Sequence, residues 1–365
     1  MIHNGFKRVL VAPLDWGAGH ATRCIPVIKE LLAQNAIPVL AGSKSVLARL
    51  NVDFPELEQV HLPDLEIKYS KILPAWLAVL LQASQIKKVI NKEKYLLKGI
   101  VPQHKIDAVI SDNRYGLRGS GVPSVIITHQ LNLPIPKSLK LLGFVAQHYV
   151  NKMLNKFDEI WVPDISQTPN LSGKLSQIKT RKKVHFIGVL SRFENELTQT
   201  QFKYDVAIIL SGPAPQPEIM LQSILQNLPA TVKQVVILSG NKYPIVKIRE
   251  DVIIHWKINA NDNEFSSSLA AAEFIIARSG YSTLMDLVQL NRNALLIPTP
   301  GQTEQIYLAR HFEEHFGCVV MDQKHTSNRN IIIKSEILKS KTGSFSYLNL
   351  NENLKITIKE MMKKI

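Results

Sequence analysis

Residues 278–286 have the residue types that would bind a phosphate and a ribose. Their sequence is RSGYSTLMD, and the apolar run before it, residues 273–277, predicts a buried strand. Glycine and hydroxyl residues would then open a helix. The first N–H groups of a helix and the positive end of its dipole attract anions, and a glycine there lets a phosphate approach closely. Asp286, one helical turn later, supplies a carboxylate for the two hydroxyls of a ribose.

A second polar pair follows the next apolar run. Residues 293–297 predict a strand, the sequence PTPG follows at 298–301, and Glu304 and Gln305 come directly after it. A carboxylate and an amide at this place are suited to hydrogen-bond sugar hydroxyls. The two segments together indicate a site for a sugar nucleotide.

A glycine-containing loop, DWGAGHATR at residues 15–23, connects the first predicted strand to the first predicted helix. Thr22 stands where a dinucleotide-binding fingerprint would need its third glycine, and no Lys-Ser/Thr pair follows as in a P-loop. His20 at the helix start could take a proton from an acceptor hydroxyl. Alternatively, it caps the helix or only hydrogen-bonds a ligand. Asp112, which follows a later strand, is a rival base or a residue that only forms a turn.

The elements that must position these residues alternate in the way a parallel sheet requires. Apolar strand-like runs occur in both halves of the chain: 8–13, 37–41, 107–110, 124–128, 158–162 and 184–187, then 204–210, 234–238, 252–255, 273–277 and 293–297. Residues 22–34 have helical periodicity, with Ile25, Ile28, Leu31 and Leu32 on one face. A chain of 365 residues is too long for one typical core, so two α/β domains are predicted.

The order of the motifs resembles glycosyltransferase family 28, the MurG-like enzymes. The resemblance rests on RSGxST with Asp286, on PTPG, on Glu304-Gln305 and on the first loop with Gly17, Gly19 and His20. It is clearer over residues 204–320 than over 1–190. The resemblance implies the GT-B fold, in which two Rossmann-like domains face each other across a cleft. The implied division is an acceptor-side domain at 1–190, a linker at 191–203, a donor domain at 204–345, and a C-terminal helix at 346–365 packing back on the first domain.

The resemblance also implies site residues. Those for the donor are Ser211, Gly212, Trp256, Ile258, Arg278, Ser279, Gly280, Ser282, Thr283, Asp286, Glu304 and Gln305. Those on the acceptor side are Asp15, Gly17, Gly19, Arg23, Arg114, His129 and Gln130, with His20 and Asp112 as catalytic candidates. Trp256 fits ordinary core packing equally well. Pro213 and Pro215 lack the N–H groups that the family's phosphate loop uses, so only Ser211 and Gly212 are included from that loop.

The activity implied is transfer of a sugar from a nucleoside-diphosphate sugar, with UDP as the expected nucleotide, to an acceptor hydroxyl with inversion. No cofactor and no metal are expected, and the sequence has no D-x-D triplet. His311-Phe312-Glu313-Glu314-His315 matches a zinc-protease pattern, but a third protein ligand is not evident and a helix face is favoured. The alternatives are a UDP-sugar 2-epimerase of the same fold, a non-catalytic nucleotide-sugar binder, and a nucleic-acid binder, although no nucleic-acid recognition module is visible.

The net charge of +14 is concentrated in the first half, because residues 1–190 hold 25 Lys and Arg against 13 Asp and Glu. There, an apolar run around Trp76 leads into lysines between positions 87 and 98, and residues 137–156 form a second apolar and basic stretch. This pattern favours an anionic membrane surface and a lipid-linked or otherwise amphipathic acceptor. The alternative is two core helices with solvated lysines. Two distant cysteines, no signal region and no run of about 20 apolar residues predict a cytoplasmic protein.

Overall fold

The chain forms two compact α/β units. The computed structural model describes residues 6–15, 18–63, 83–133, 140–177, 182–193, 201–245, 248–339, 345 and 352–365. Unit 1 comprises Met1–Arg192 and Asn349–Ile365, and unit 2 comprises Phe193–Leu348. The chain therefore enters unit 2 near the start of the 191–203 segment and returns to unit 1 for its last helix.

Unit 1 contains a seven-stranded sheet in the order β3-β2-β1-β4-β5-β6-β7, and every described pairing in it is parallel. The strands are β1 Arg8–Pro13, β2 Ile37–Gly42, β3 Gln59–His61, β4 Ala108–Asp112, β5 Ser124–Ile127, β6 Glu159–Val162 and β7 Lys183–Phe186. The central strands are buried along their length, which explains their nearly continuous apolar sequences. β3 is too short to show a pattern and was not predicted.

The helices of unit 1 are α1 Ala18–Ala33, α2 Lys44–Asp53, α3 Ala83–Gln103, α4 Lys140–Leu154 and α10 Glu352–Lys364. Helix α1 begins four residues before the predicted start, and Ile25, Ile28 and Leu31 on its apolar face are buried. Helix α10 belongs to this unit. The Gln34 side chain donates to the Lys355 carbonyl at 2.9 Å, and Lys364 pairs with Glu159 beside β6.

Unit 2 contains a six-stranded parallel sheet in the order β10-β9-β8-β11-β12-β13. Its strands are β8 Tyr204–Ile209, β9 Gln234–Ser239, β10 Ile253–Ile258, β11 Ala272–Ala277, β12 Leu295–Leu296 and β13 Val319–Val320. Its helices are α5 Gln216–Leu225, α6 Asp262–Ala270, α7 Tyr281–Gln289, α8 Thr303–His315 and α9 Asn328–Lys339. An apolar cluster from α5, α9 and one face of the sheet forms a core that Trp256 also contacts.

Both sheets have the strand order of a doubly wound fold. The chain order reverses between β1 and β4 in unit 1 and between β8 and β11 in unit 2. In open α/β sheets, ligands bind outside the carboxyl ends of the strands at this reversal point. The fold therefore marks one candidate site in each unit.

Candidate functional site

The reversal point of unit 1 brings His20 and Asp112 together. Pro13 at the end of β1 pairs with Asp112 at the end of β4, and α1 begins beside them. The Nδ1 atom of His20 lies 3.0 Å from Oδ2 of Asp112. The two residues that the sequence offered as rival bases therefore form one hydrogen-bonded pair.

Arg23, one turn further along α1, completes this group. Its Nε donates to Oδ2 of Asp112 at 2.7 Å, and its second nitrogen pairs with Oδ1 of the same carboxylate. When His20 is protonated at Nδ1 it donates to Asp112, and its Nε2 keeps the lone pair that a base needs. The Arg23 Nη2 atom lies 2.8 Å from the same Nδ1 and would donate to it only in the other tautomer.

The electrostatics of the group favour a neutral histidine beside an ionised aspartate. Burial, followed by the charge of Arg23, lowers the pKa of His20, and Asp112 opposes this only in part. Burial alone would raise the pKa of Asp112, but Arg23 and His20 hold it at about 2. With about 14% of its side chain exposed, His20 is the accessible member of the pair, since Asp112 is fully buried. Proton abstraction by His20, oriented by Asp112, is what this geometry supports.

Other acceptor-side candidates lie at the same edge of the sheet. Asp15 follows β1 and accepts a 2.9 Å hydrogen bond from Ser45, and Gly19 lies in the first turn of α1. His129, which follows β5, is buried and close enough for its charge to lower the pKa of His20. Gln130 is half-buried beside it, and its backbone N–H donates to Thr128 Oγ1 at 3.2 Å. Gly17 lies outside the described residues.

Arg114 has a different environment from the one proposed for it. Its guanidinium is fully buried, donating to Oε1 of Glu93 on α3 at 2.7 Å and to the Pro13 carbonyl at 2.9 Å. The other oxygen of Glu93 accepts the backbone N–H of Gly116 at 3.1 Å. Arg114 therefore fixes the loop that follows Asp112 against α3. Glu93 was not predicted, because its separation of 21 residues from Arg114 gives no local signal for this ion pair.

Gly116 packs so closely on α3 that a side chain would not fit. A Cβ at this position would lie 2.5 Å from the Ile90 carbonyl oxygen and 2.5 Å from Cβ of Glu93. We expect Gly116→Ala to destabilise the protein by about 1–3 kcal/mol, because backbone of α3 would have to move. Gly99→Ala, on the same helix with nothing within 4 Å of its added Cβ, is the control and should be neutral or slightly stabilising. Urea unfolding of both variants tests this, and equal midpoints would contradict it.

The reversal point of unit 2 is formed by the ends of β8 and β11 and the start of α7. Gly280 is the N-cap of α7, and its added Cβ would meet only Thr283 Oγ1, at 4.0 Å. Ser282, Thr283 and Asp286 are half-buried, whereas most of the rest of the helix is buried. At spacings of three and four residues, these three side chains share one face of the helix.

Arg278 and Ser279, both proposed as donor ligands, lie beneath this surface. Arg278 is fully buried and donates to the carbonyls of Ile297 at 3.0 Å and Gln216 at 2.9 Å, and to Gln323 Oε1 at 2.7 Å. Burial lowers its pKa to about 10, which leaves it charged at neutral pH. Ser279 Oγ donates to the Gln305 carbonyl at 2.8 Å. These two residues bind the loops around the site to one another.

The two members of the Glu304-Gln305 pair also differ in burial. The Gln305 side chain is buried, accepts the Thr299 N–H at 2.9 Å and donates to Gln302 Oε1 at 2.6 Å, so it shapes the 299–302 turn. Glu304 in the first turn of α8 is half-buried. Gln216, Gln302 and Gln323, which complete these contacts, were not predicted, because a single glutamine at a helix start or in a loop carries no sequence signal.

The remaining donor candidates lie at the carboxyl ends of β8 and β10. Ser211 and Gly212 follow β8, and Gly212 has a φ of 101°, a conformation that favours glycine. Trp256 is half-buried against the apolar core, as its alternative interpretation expected. Ile258 ends β10 and is exposed. In α8, the rings of His311 and His315 pack with centroids 4.7 Å apart, and the described residues contain no cluster of three metal-ligating side chains.

Part of the chain also matches a known protein family. Residues 214–363 match the model of the glycosyltransferase family 28 C-terminal domain. This match covers the C-terminal part of the chain, 150 of its 365 residues, and agrees with the resemblance to glycosyltransferase family 28. The match spans both the α7 surface and the return of the chain to unit 1, which supports the recognition made from the sequence and makes the chain a glycosyltransferase. No curated protein sequence matches it.

Solved glycosyltransferase structures share the fold along nearly the whole chain. MurG of Acinetobacter baumannii is 13% identical with a TM-score of 0.58, covering 98% of this chain and 100% of that one. Spinosyn forosaminyltransferase SpnP is 14% identical with a TM-score of 0.62, and the match covers 98% of this chain and 95% of that one. UGT89C1 of Arabidopsis thaliana, complexed with quercetin, is 11% identical with a TM-score of 0.62, and the match covers 97% of this chain and 99% of that one. The chain therefore has the GT-B fold, as predicted.

In the described ranges, this glycosyltransferase has no helix long and apolar enough to cross a membrane.

Proposed function

We propose that the enzyme transfers a sugar from a UDP-sugar to an acceptor hydroxyl with inversion at the anomeric carbon. The observation that carries the donor assignment is the half-buried face of α7, where Ser282, Thr283 and Asp286 follow the glycine N-cap. A helix start at the reversal point of a parallel sheet suits a diphosphate. Asp286, one turn deeper, would accept hydrogen bonds from the ribose hydroxyls, and Glu304 would bind the sugar.

In the proposed reaction, the sugar is transferred in a single step. The acceptor oxygen attacks the anomeric carbon of the donor, the bond from that carbon to the diphosphate oxygen breaks, and UDP leaves with the electron pair. Nε2 of His20 takes the proton of the acceptor hydroxyl, while Asp112 stabilises the imidazolium that forms. The start of α7 stabilises the charge on the leaving diphosphate, a role that needs neither metal nor cofactor.

Removing the Asp286 carboxylate should weaken donor binding selectively. We expect Asp286→Ala to cost about 1–3 kcal/mol of UDP affinity, roughly 5- to 150-fold, because a charged acceptor for the ribose is lost. Asp251→Ala is a matched control. Asp251 precedes β10, so it lies at the amino ends of the strands, whereas α7 begins at their carboxyl ends, and it pairs with Lys233 and Arg249. Calorimetry with UDP measures both. Unchanged affinity in Asp286→Ala would remove the ribose assignment.

We also propose an amphipathic, lipid-linked acceptor and peripheral attachment to the cytoplasmic face of a membrane. The Trp76 segment that suggested this lies outside the described residues. Support comes from the second stretch and from the lysines that follow the Trp76 segment. On α4, Phe144 and Val145 are 74% and 64% exposed, and on α3, Lys87, Lys88, Lys92, Lys94 and Lys98 are all exposed. Such apolar and basic surfaces favour an anionic bilayer.

The membrane proposal predicts sedimentation with anionic vesicles at low salt. Phe144→Asp should weaken binding by about 10- to 150-fold, because an inserted aromatic side chain is worth about 1.5–3 kcal/mol. High salt should weaken binding as well, since each lysine near such a surface contributes about 1 kcal/mol. Val52→Asp replaces an equally exposed apolar residue on α2 and should have no effect. If the folded wild-type protein stays in the supernatant at low salt, the acceptor is a soluble molecule.

A further inference from the structure

Arg118 is a buried cation without a described carboxylate partner. It lies in the loop between β4 and β5, is 6% exposed, and its Nη2 lies 3.5 Å from the Met153 sulfur. The centre of its guanidinium lies 5.8 Å from the Phe157 ring centroid. Its Nε is buried and makes no hydrogen bond to any described residue. Burying an arginine is costly unless an anion compensates its charge.

Lys156 lies close enough to Arg118 to interact with its charge, and two further lysines lie near Lys156. Lys152 lies in the last turn of α4 and precedes Met153, and Lys156 lies just after this helix and precedes Phe157. Lys94 belongs to α3. All three are exposed. The positive charge of Arg118, together with slight burial and the charges of Lys152 and Lys94, lowers the pKa of Lys156. Each of the other three positive charges is therefore close enough to Lys156 to repel it.

The carboxylates next to these lysines in the sequence are used elsewhere. Glu93 pairs with Arg114 and accepts the Gly116 N–H. Asp158 accepts the backbone N–H of Ser124 at 2.7 Å and its hydroxyl at 3.0 Å. The two described carboxylates that adjoin these lysines in the sequence therefore hold loops in place.

We propose that Arg118, Lys94, Lys152 and Lys156 form a binding site for a phosphate group. Bidentate recognition of phosphate by a guanidinium, reinforced by ammonium groups, is the chemistry that such a cluster offers. The site is separate from the catalytic pair of unit 1. Residues 156 and 157 lead into β6 at the amino edge of the sheet, whereas His20 and Asp112 lie at its carboxyl edge. The phosphate would belong either to a soluble phosphate ester or to the head group of a lipid.

Thermal unfolding at constant ionic strength tests the site with inorganic phosphate and with glycerol 3-phosphate. Both should raise the melting temperature of the wild-type protein relative to chloride, because a ligand that binds only the folded state stabilises it. Arg118→Leu and Lys156→Ala should each weaken phosphate binding by about tenfold, the equivalent of one charge-assisted contact. Lys359→Ala on α10 removes an exposed lysine outside the cluster and should keep the full shift.

Two further readouts separate this site from others. Gly280→Ala should keep the shift, because it alters only the donor surface of unit 2. Arg118→Leu without phosphate should melt at or above the wild-type temperature, since it removes a buried charge without a partner. A lower melting temperature together with an unchanged phosphate shift would make Arg118 purely structural and overturn the proposal.

Vesicles identify the source of the phosphate. If only phosphatidylcholine vesicles containing phosphatidic acid bind the protein in an Arg118-dependent way, the ligand is a lipid head group. If the soluble esters shift the melting temperature, the ligand is a soluble phosphate. If neither probe responds to Arg118→Leu, there is no phosphate site.

Discussion

Replacing His20 by alanine is expected to lower sugar transfer by about 100-fold or more, the usual contribution of a positioned general base. His20 is the accessible member of the His20–Asp112 pair, and burial together with Arg23 lowers its pKa so that the neutral base predominates at pH 7. The affinity for UDP should be nearly unchanged, because His20 belongs to unit 1. Steady-state kinetics with calorimetry separates the two effects.

The pH profile provides the control for this assignment. A base is active when deprotonated, so activity should fall as the pH drops through the pKa of His20, below the usual 6.5. Arg23→Gln removes the positive charge that lowers this pKa, so the acid limb of kcat should move to higher pH. A purely structural role for Arg23 would lower kcat without moving that limb. Full activity of His20→Ala would assign the base to another residue.

Replacing Arg278 by alanine is expected to cost about 3 kcal/mol or more of folding free energy. The side chain is fully buried, and its loss would leave the carbonyls of Ile297 and Gln216 without their donor and create a cavity. Because these carbonyls belong to the loops around α7, the folded fraction should also bind UDP more weakly. Urea unfolding and calorimetry measure the two losses.

Arg292→Ala is the matched control. Arg292 is half-buried and donates to the carbonyls of Leu269 and Ala272, but these lie at the amino edge of the sheet. It should destabilise unit 2 and leave the UDP affinity of the folded protein unchanged. Equal effects of the two variants on UDP affinity would show that Arg278 does not organise the donor site.

Residues 278–286 show how far the sequence alone predicts this site. The apolar run, the glycine and the helix start were recognisable because local propensity and tertiary structure agree there. The inward direction of Arg278 was not recognisable, because its partners come from three other segments of the chain, up to 62 residues away. The sequence therefore predicts the strand, glycine and helix start of this segment, but not which of its side chains point inward and hold neighbouring segments in place.

The acceptor side was harder to predict for the same reason. His20 and Asp112 are 92 residues apart and meet only because β1 pairs with β4 in the register that places Pro13 opposite Asp112. From the sequence, the two residues were therefore interpreted as rival candidates for the base. Arg23 was named as an acceptor-side residue, but its bidentate contact with Asp112 depends on that same register. Strand pairing is a long-range property, which local patterns do not encode.

Hydrogen–deuterium exchange with and without UDP tests the central claim most directly, because it locates the bound nucleotide. The account predicts slower exchange in the peptides that cover residues 278–286 and 211–216 of wild-type protein, with the protection reduced in Asp286→Ala. Protection that appears only in peptides of unit 1, or that is unchanged in Asp286→Ala, would contradict a donor site at the start of α7.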